Sequence, residues 1–272
     1  MHSTVQPIPA KLFWKGLKTK KFGRSFYSFS EVTSTNDVAS LLIHNDAPEG
    51  TLVTAEAQIK GRGRQGRVWT TSQGKALAFS LVLKPKVSVQ EIPGITLAAV
   101  VAVAQTLEEF GLKPQIKWPN DLLLKGKKVC GILTEMGPKH DKMQTVILGI
   151  GINLNQATKD FPVEIRSLAT SVLRSSGKSV DRVVFLQKLM RRLETVYGWV
   201  NQKDFSKVLT EWRKRSVTLG QMVKVSQATK SFEGHVVDVD SRGFLLVKDK
   251  QNQIQTILSG DVAILKSKKR FS

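Results

Sequence analysis

The chain carries one cysteine in 272 residues, Cys130. An intrachain disulfide is thereby excluded, and so is a zinc site built on cysteines; a reducing compartment, the cytoplasm, is the expected home. Cys130 stands in the apolar run Val129-Cys130-Gly131-Ile132-Leu133 and reads as a buried thiol rather than a nucleophile. Acid is also scarce: 22 Asp and Glu stand against 42 Lys and Arg, a formal charge of +20. Such an excess suits an anionic nucleotide, an acidic protein, or nucleic acid held through its phosphates. No uninterrupted apolar run reaches bilayer length, and the nearest, residues 95–107, is broken by Thr96, Gln105 and Thr106 and reads as a buried helix. No apolar segment follows the N-terminal charges, so neither a secretory signal nor a membrane partner is expected.

What remains is an ordinary folded composition, 41% hydrophobic, over a length that accommodates one full-sized core and one small domain. The charge is uneven. Residues 1–30 hold six Lys or Arg and no acid, and Lys266, Lys268, Lys269 and Arg270 crowd the other end. Residues 1–24 lack periodicity and are expected to form a basic extension lying on the surface.

The most distinctive stretch is 61–69, GRGRQGRVW, with three glycines and three arginines in nine residues. Glycine lets backbone amides approach a ligand, and guanidinium supplies planar forked donors for phosphate or carboxylate. The segment reads as a mobile anion-binding loop, or, failing a ligand, as a solvated basic turn. Around it, residues 24–31 and 51–57 read as strands, residues 76–83 as a central strand and 95–110 as a long core helix closed by Gly111. Ser34, Thr35 and Asn36 suit a helix N-terminus and equally a small polar ring. In Lys117-Trp118-Pro119-Asn120-Asp121, proline interrupts pairing and throws Asn120 and Asp121 to a strand end. Residues 122–124 and 129–136 form a hairpin around Lys125, Gly126, Lys127 and Lys128, and lysines in so tight a turn read as solvated unless one of them enters the strand pointing inward. Residues 145–155, TVILGIGINLN, read as a buried strand whose glycines let a ligand lie flat; as a dinucleotide fingerprint the run fails, lacking the third glycine. Residues 181–200 and 204–213 read as amphipathic helices, the first turning Val184, Leu186, Leu189, Leu193 and Val196 inward. Beyond Arg215 come short strands with turn signals, the pattern of a small barrel.

Ser34-Thr35-Asn36, Gln58, the 61–69 loop, the Lys117–Asp121 set, residues 127–135 and residues 149–155 stand in the order found in the biotin protein ligases, which this chain resembles from about Ser25 to Leu265. The resemblance implies an α+β fold: a mixed β-sheet catalytic domain with packed helices, of the class II synthetase-like biotin/lipoate ligase type (25–215), followed by an SH3-like barrel (216–272). It implies formation of biotinyl-5′-AMP from biotin and ATP with Mg²⁺, then transfer of biotin to a lysine of a biotin carboxyl carrier protein domain. It places Ser34, Thr35, Asn36, Gln58, Arg62, Gly63, Arg64, Lys128 and Gly131 around biotin. Arg64, Arg67, Trp69, Asn120, Lys128 and Asn153 fall around ATP. Lys128, Arg62 and Asp121 carry the chemistry, with Arg67 on the outer phosphates and Asp121 as a candidate metal ligand or amine-orienting base. About thirty residues before Ser34 leave no room for the winged helix-turn-helix of repressor-type members, so a monofunctional enzyme without specific DNA binding is expected. A homodimer is compatible with the resemblance. Two rivals stay open at this level: a lipoate or octanoate ligase of related fold, though an Arg-Arg-x-Ser-Gly-Gly-Gly run is missing, and a non-catalytic basic nucleic-acid binder.

Overall fold

The computed structural model describes residues 5–138, 144–202, 204–227 and 230–265. The Lys266–Arg270 cluster of charges lies outside the described residues. Two sheets organise the chain. The larger has seven strands in the order β1-β2-β3-β7-β6-β5-β4: β1 Phe26–Val32, β2 Leu52–Gln58, β3 Ala76–Leu83, β4 Gln115–Lys117, β5 Asp121–Leu124, β6 Lys127–Met136 and β7 Val146–Asn153. Only β1 and β2 run parallel; the other pairs are antiparallel. β3 and β7 are buried along their whole length, as their near-continuous apolar sequences predict for central strands.

Alternation on β7 divides the sheet into two unlike faces. Val146, Leu148, Ile150 and Ile152 enter the main core, together with Leu77, Phe79, Leu81 and Leu83 of β3. On that face lie α3 (Pro93–Glu109), α5 (Arg182–Asn201) and α6 (Phe205–Arg213). The segment Val89–Glu109 is, contrary to the sequence expectation, long and apolar enough to cross a bilayer. Here it serves as the core helix, with Leu97 to Ala104 buried without a break. On the opposite face, α2 (Thr35–His44) sets Ala39 and Ile43 on Val53, Val82 and Ile147. The rest of that face is covered by no helix among the described residues, and the small residues Gly149 and Gly151 stand there.

The N-terminal segment corrects the expectation of a surface extension. α1 (Ala10–Lys15) and its flanks bury Ile8, Phe13, Leu17 and Phe22 in the main core. Glu194 of α5 accepts from the backbone amides of Lys20, Lys21 and Phe22 at 2.8, 2.6 and 3.0 Å. The lysines interrupt the apolar spacing, so the sequence conceals an anchor made of widely separated aromatics. On α5 the buried stripe runs through Phe185, Leu186, Leu189, Met190, Leu193 and Val196, whereas Val184, expected inside, is exposed.

The second sheet is antiparallel, in the order β11-β10-β9-β8-β12: β8 Met222–Ser226, β9 Ser231–Val239, β10 Leu245–Asp249, β11 Ile254–Ile257 and β12 Asp261–Ile264. The last strand, only four residues long, escaped the sequence reading. This sheet grips the first at Trp118, whose backbone amide donates to Thr218 Oγ1 at 3.0 Å and whose indole donates to the Gly243 carbonyl at 3.1 Å.

Candidate active site

Strand register brings one residue from each of seven strands into a single row: Phe29, Ala55, Ala78, Gly151, Gly131, Asp121 and Lys117. Small side chains in the middle of that row hollow the open face into a cavity of about 590 Å³. Three glycines form its floor, beneath the side chains of Asn36, Trp69 and Lys128. A Cβ on Gly149 would stand 2.5 Å from Asn36 Oδ1, and one on Gly151 would stand 2.2 Å from Trp69 Cε2. A Cβ on Gly131 would meet Lys128 Cε and Trp69 Cζ3, both at 3.2 Å. Here glycine is required for room rather than for backbone freedom.

At one end, Ser34 caps α2, its hydroxyl accepting from the Asn36 amide at 3.3 Å. Gln58 Oε1 accepts from both the amide and the hydroxyl of Thr35, at 2.9 and 3.2 Å. Asn36 donates to Glu135 Oε2 at 2.5 Å, while Ser80 Oγ donates to Thr35 Oγ1 at 2.7 Å. The helix N-terminus thus presents a buried, cross-linked polar set.

The 61–69 segment is a small hairpin. Gln65 and Gly66 both take positive φ, 55° and 71°, and reverse the chain. Gly63 N then donates to Arg67 O at 2.7 Å, and Trp69 N to Gly61 O at 2.9 Å. Its three arginines end in different surroundings. Arg62 lies 2.7 Å from Asp37 Oδ1 and 3.4 Å from Glu135 Oε2; the hydrogen bond it donates to Asp37 is the main cause of its raised pKa. Arg67 pairs with Asp261 of β12. Arg64 donates only to neutral oxygens, Asn120 Oδ1 at 3.2 Å and the Gly260 carbonyl at 3.3 Å, and burial lowers its pKa. Among the described residues Arg64 is therefore the arginine of this loop that forms no ion pair, although Asp261 and Asp121 are near enough to favour its charge. Arg62, expected beside Lys128, instead sits with Glu135, which is seven residues further along β6, about 23 Å of extended chain.

Lys128 reaches the cavity through a β-bulge. Leu122 and Leu123 of β5 oppose Cys130 and Lys128, leaving Val129 as an extra residue on β6. Without it, alternation would set Lys128 on the face opposite Gly131. With it, Lys128 Nζ lies 2.6 Å from Asp121 Oδ1. The backbone of Lys128 is clamped from the other side, its amide donating to Leu168 O and its carbonyl accepting from Thr170 N, both at 2.8 Å. Asn120 donates to Ile132 O at 2.8 Å, which fixes the acceptor that holds Arg64. Asn153, at the end of β7, is buried and accepts from Gln156. Lys125 and Gly126, both at positive φ, make the two-residue turn of the β5–β6 hairpin, and Lys125 is exposed, as expected. Cys130 is fully buried, and burial drives its thiol pKa up, away from nucleophilic chemistry.

The carboxylates lining the cavity are already matched: Asp121 with Lys128, Asp160 with Lys75 at 2.7 Å, and Asp261 with Arg67. No cluster of three or more His, Cys, Asp or Glu suited to a metal exists among the described residues. A hard divalent cation here would rest chiefly on ligand phosphates, with Asp121 as the protein oxygen nearest Lys128.

Sequence reasoning passed over Asp37, Glu135 and Asp261. Glu135 was legible in principle, since period two carries Gly131, Leu133 and Glu135 to one face. Asp261 carries no local signal, because its partner Arg67 is separated from it by most of the chain.

Residues 28–153 match the Biotin/lipoate A/B protein ligase family, and residues 218–265 match the Biotin protein ligase C terminal domain. The chain is 38% identical over 250 residues to the Bifunctional ligase/repressor BirA of Bacillus subtilis, covering 92% of this chain and 77% of that protein. It is 32% identical over 225 residues to the Biotin--[acetyl-CoA-carboxylase] ligase of Mycobacterium tuberculosis, covering 80% of each. Its fold is similar to the biotin protein ligase from Aquifex aeolicus in complex with biotin and ATP, with a TM-score of 0.76 and 30% identity, over 92% of this chain and 100% of that one.

Proposed function

The chain belongs to the biotin protein ligase family, and from that premise we infer that it ligates biotin to protein at the expense of ATP, in two half-reactions. In the first, a biotin carboxylate oxygen attacks the α-phosphorus of ATP; the bond to the bridging oxygen breaks and pyrophosphate leaves. In the second, the amine of an acceptor lysine attacks the carbonyl carbon of the mixed anhydride, AMP departs and an amide remains.

The observation that carries this reading is the placement of Lys128 and Arg64 over a floor of glycines. Two anions must meet, and cations fixed beforehand lower the cost of bringing them together. Lys128 supplies a point charge at the start of β6, and Arg64 a guanidinium that forms no ion pair among the described residues. The α2 N-terminus with Ser34, Thr35, Asn36 and Gln58 suits the ureido ring, and Arg62 closes that end through Asp37 and Glu135. Trp69, Asn120 and Asn153 suit the nucleotide. Arg67 is held back by Asp261 and becomes available to outer phosphates when that pair opens. Mg²⁺ belongs in this reading as a partner of the triphosphate, supplying charge that screens pyrophosphate. Asp121, ion-paired with Lys128 at 2.6 Å, orients or deprotonates the incoming amine in this reading.

The acceptor in this reading is a biotin carboxyl carrier domain, and the setting is the cytoplasm, which suits a free buried thiol. Incubation with biotin, ATP, Mg²⁺ and such a domain is expected to add one biotinyl group to a single lysine, seen by mass spectrometry, with pyrophosphate released only when biotin is present. Lipoyl or octanoyl transfer with no biotin transfer overturns it.

A further inference from the structure

We propose that Gln156 reads the exocyclic amino group of the nucleotide base and so gives this site its preference for adenine. The inference rests on the ligase reading above and concerns a residue that no motif singles out. Gln156 is 1% exposed, and Asn153, three residues earlier at the end of β7, is 5% exposed. Both line the cavity. The backbone of Gln156 is pinned by Ser171, whose hydroxyl donates to its carbonyl at 2.6 Å. Its side-chain Nε2 donates to Asn153 Oδ1 at 2.8 Å. Its Oε1 is buried and has no hydrogen-bond partner among the described residues.

Buried polar atoms are almost always partnered, and an orphan lining a ligand cavity marks where a ligand donor belongs. The shared hydrogen bond also fixes what the pair offers. With Gln156 Nε2 and Asn153 Oδ1 joined to each other, the groups of the pair left outside that bond are the Asn153 Nδ2 donor and the Gln156 Oε1 acceptor. That pattern is the complement of adenine, whose amino group stands beside a ring nitrogen acceptor.

Position supports the match. Asn153 follows Gly149 and Gly151 on one face of β7, and Trp69 lies over Gly151. With the phosphates held by Lys128 and Arg64, the flat base is left to the indole and the amide pair. The ureido ring of biotin also carries an N–H beside a carbonyl, but Ser34, Thr35 and Gln58 already supply that chemistry elsewhere in the cavity.

The test is biotin-dependent pyrophosphate exchange with ATP and with purine riboside triphosphate, which lacks only the amino group. The unaltered protein is expected to lose on the order of tenfold in kcat/KM with the purine analogue, the worth of one hydrogen bond to a buried acceptor. Gln156→Leu is expected to bring ATP down to the analogue's level, so that the two nucleotides are used equally, with the KM for biotin unchanged. Equal use of both nucleotides by the unaltered protein overturns the proposal without any variant. Undiminished discrimination in Gln156→Leu, or an effect confined to biotin, overturns it as well. No exchange with ATP at all would instead overturn the ligase reading beneath it.

Discussion

Arg62, Arg64 and Arg67 share one nine-residue segment, yet their surroundings give them different work. Arg62 is braced by Asp37 and Glu135, Arg67 by Asp261, and Arg64 by neutral oxygens alone. A guanidinium already neutralised adds little to the binding of an anion, whereas one desolvated and unpaired adds much. Arg64→Ala is therefore expected to raise the KM for ATP by a factor on the order of 10². Arg62→Gly is expected to leave ATP binding nearly intact while weakening closure over biotin, so that biotinyl-AMP escapes and labels lysines indiscriminately; labelling confined to the carrier lysine in that variant contradicts the role. Lys128→Ala should abolish most adenylate formation, by about 10²–10³-fold in the pyrophosphate release rate. The sequence reading named Arg62, Arg64, Arg67 and Lys128 and passed over their carboxylate partners Asp37, Glu135 and Asp261. It misjudged how the charges are distributed, because their partners are distant along the chain.

At the scale of elements, β6 and β7 hold the design. Their glycines are legible as small residues at period two, and the run TVILGIGINLN was read as a strand over which a ligand can lie. That Trp69 occupies part of this floor was not legible, since it depends on the hairpin folding back. Gly151→Ala tests the contact: its Cβ would stand 2.2 Å from Trp69 Cε2, so the ring must leave the floor. The expected outcome is a shift in tryptophan emission that vanishes in a Trp69→Phe background. A stability loss of about 1–3 kcal/mol, read from denaturant midpoints, should accompany it. The bulge at Val129 belongs to the same scale. Strict alternation would have turned Lys128 away from Asp121, and only the mismatch with β5 corrects its direction.

For the whole molecule, the small C-terminal sheet is a wall of the site, through Asp261, the Gly260 carbonyl and its hold on Trp118. The Arg67–Asp261 pair is too exposed, at 63% and 38%, to matter for global stability, and its consequence is confined to the loop. Behind the site, Arg215 joins Glu108 of α3 to Glu211 of α6 at 2.7 and 2.8 Å. Hydrogen bonds from Lys214 and then Arg215 hold the Glu211 pKa down to about 2. A carboxylate depressed on folding stabilises above its ordinary pKa and stops doing so as pH falls through the folded value. Glu211→Gln is thus expected to cost about 1–3 kcal/mol near neutral pH, with the difference from the parent narrowing below pH 4.5 and gone near pH 2. Denaturant midpoints across that range provide the check.

The sequence by itself determined the strands and helices of the core, the glycine floor, the helix cap at Ser34 and the identity of the cationic residues, because each depends on period, propensity or composition within a short window. Tertiary structure alone decided which arginine keeps its charge free, that Lys128 faces Asp121, that the N-terminal aromatics are core, and that Asp261 borders the cavity. Those outcomes depend on register and on partners remote along the chain, and neither is encoded in any local run of residues.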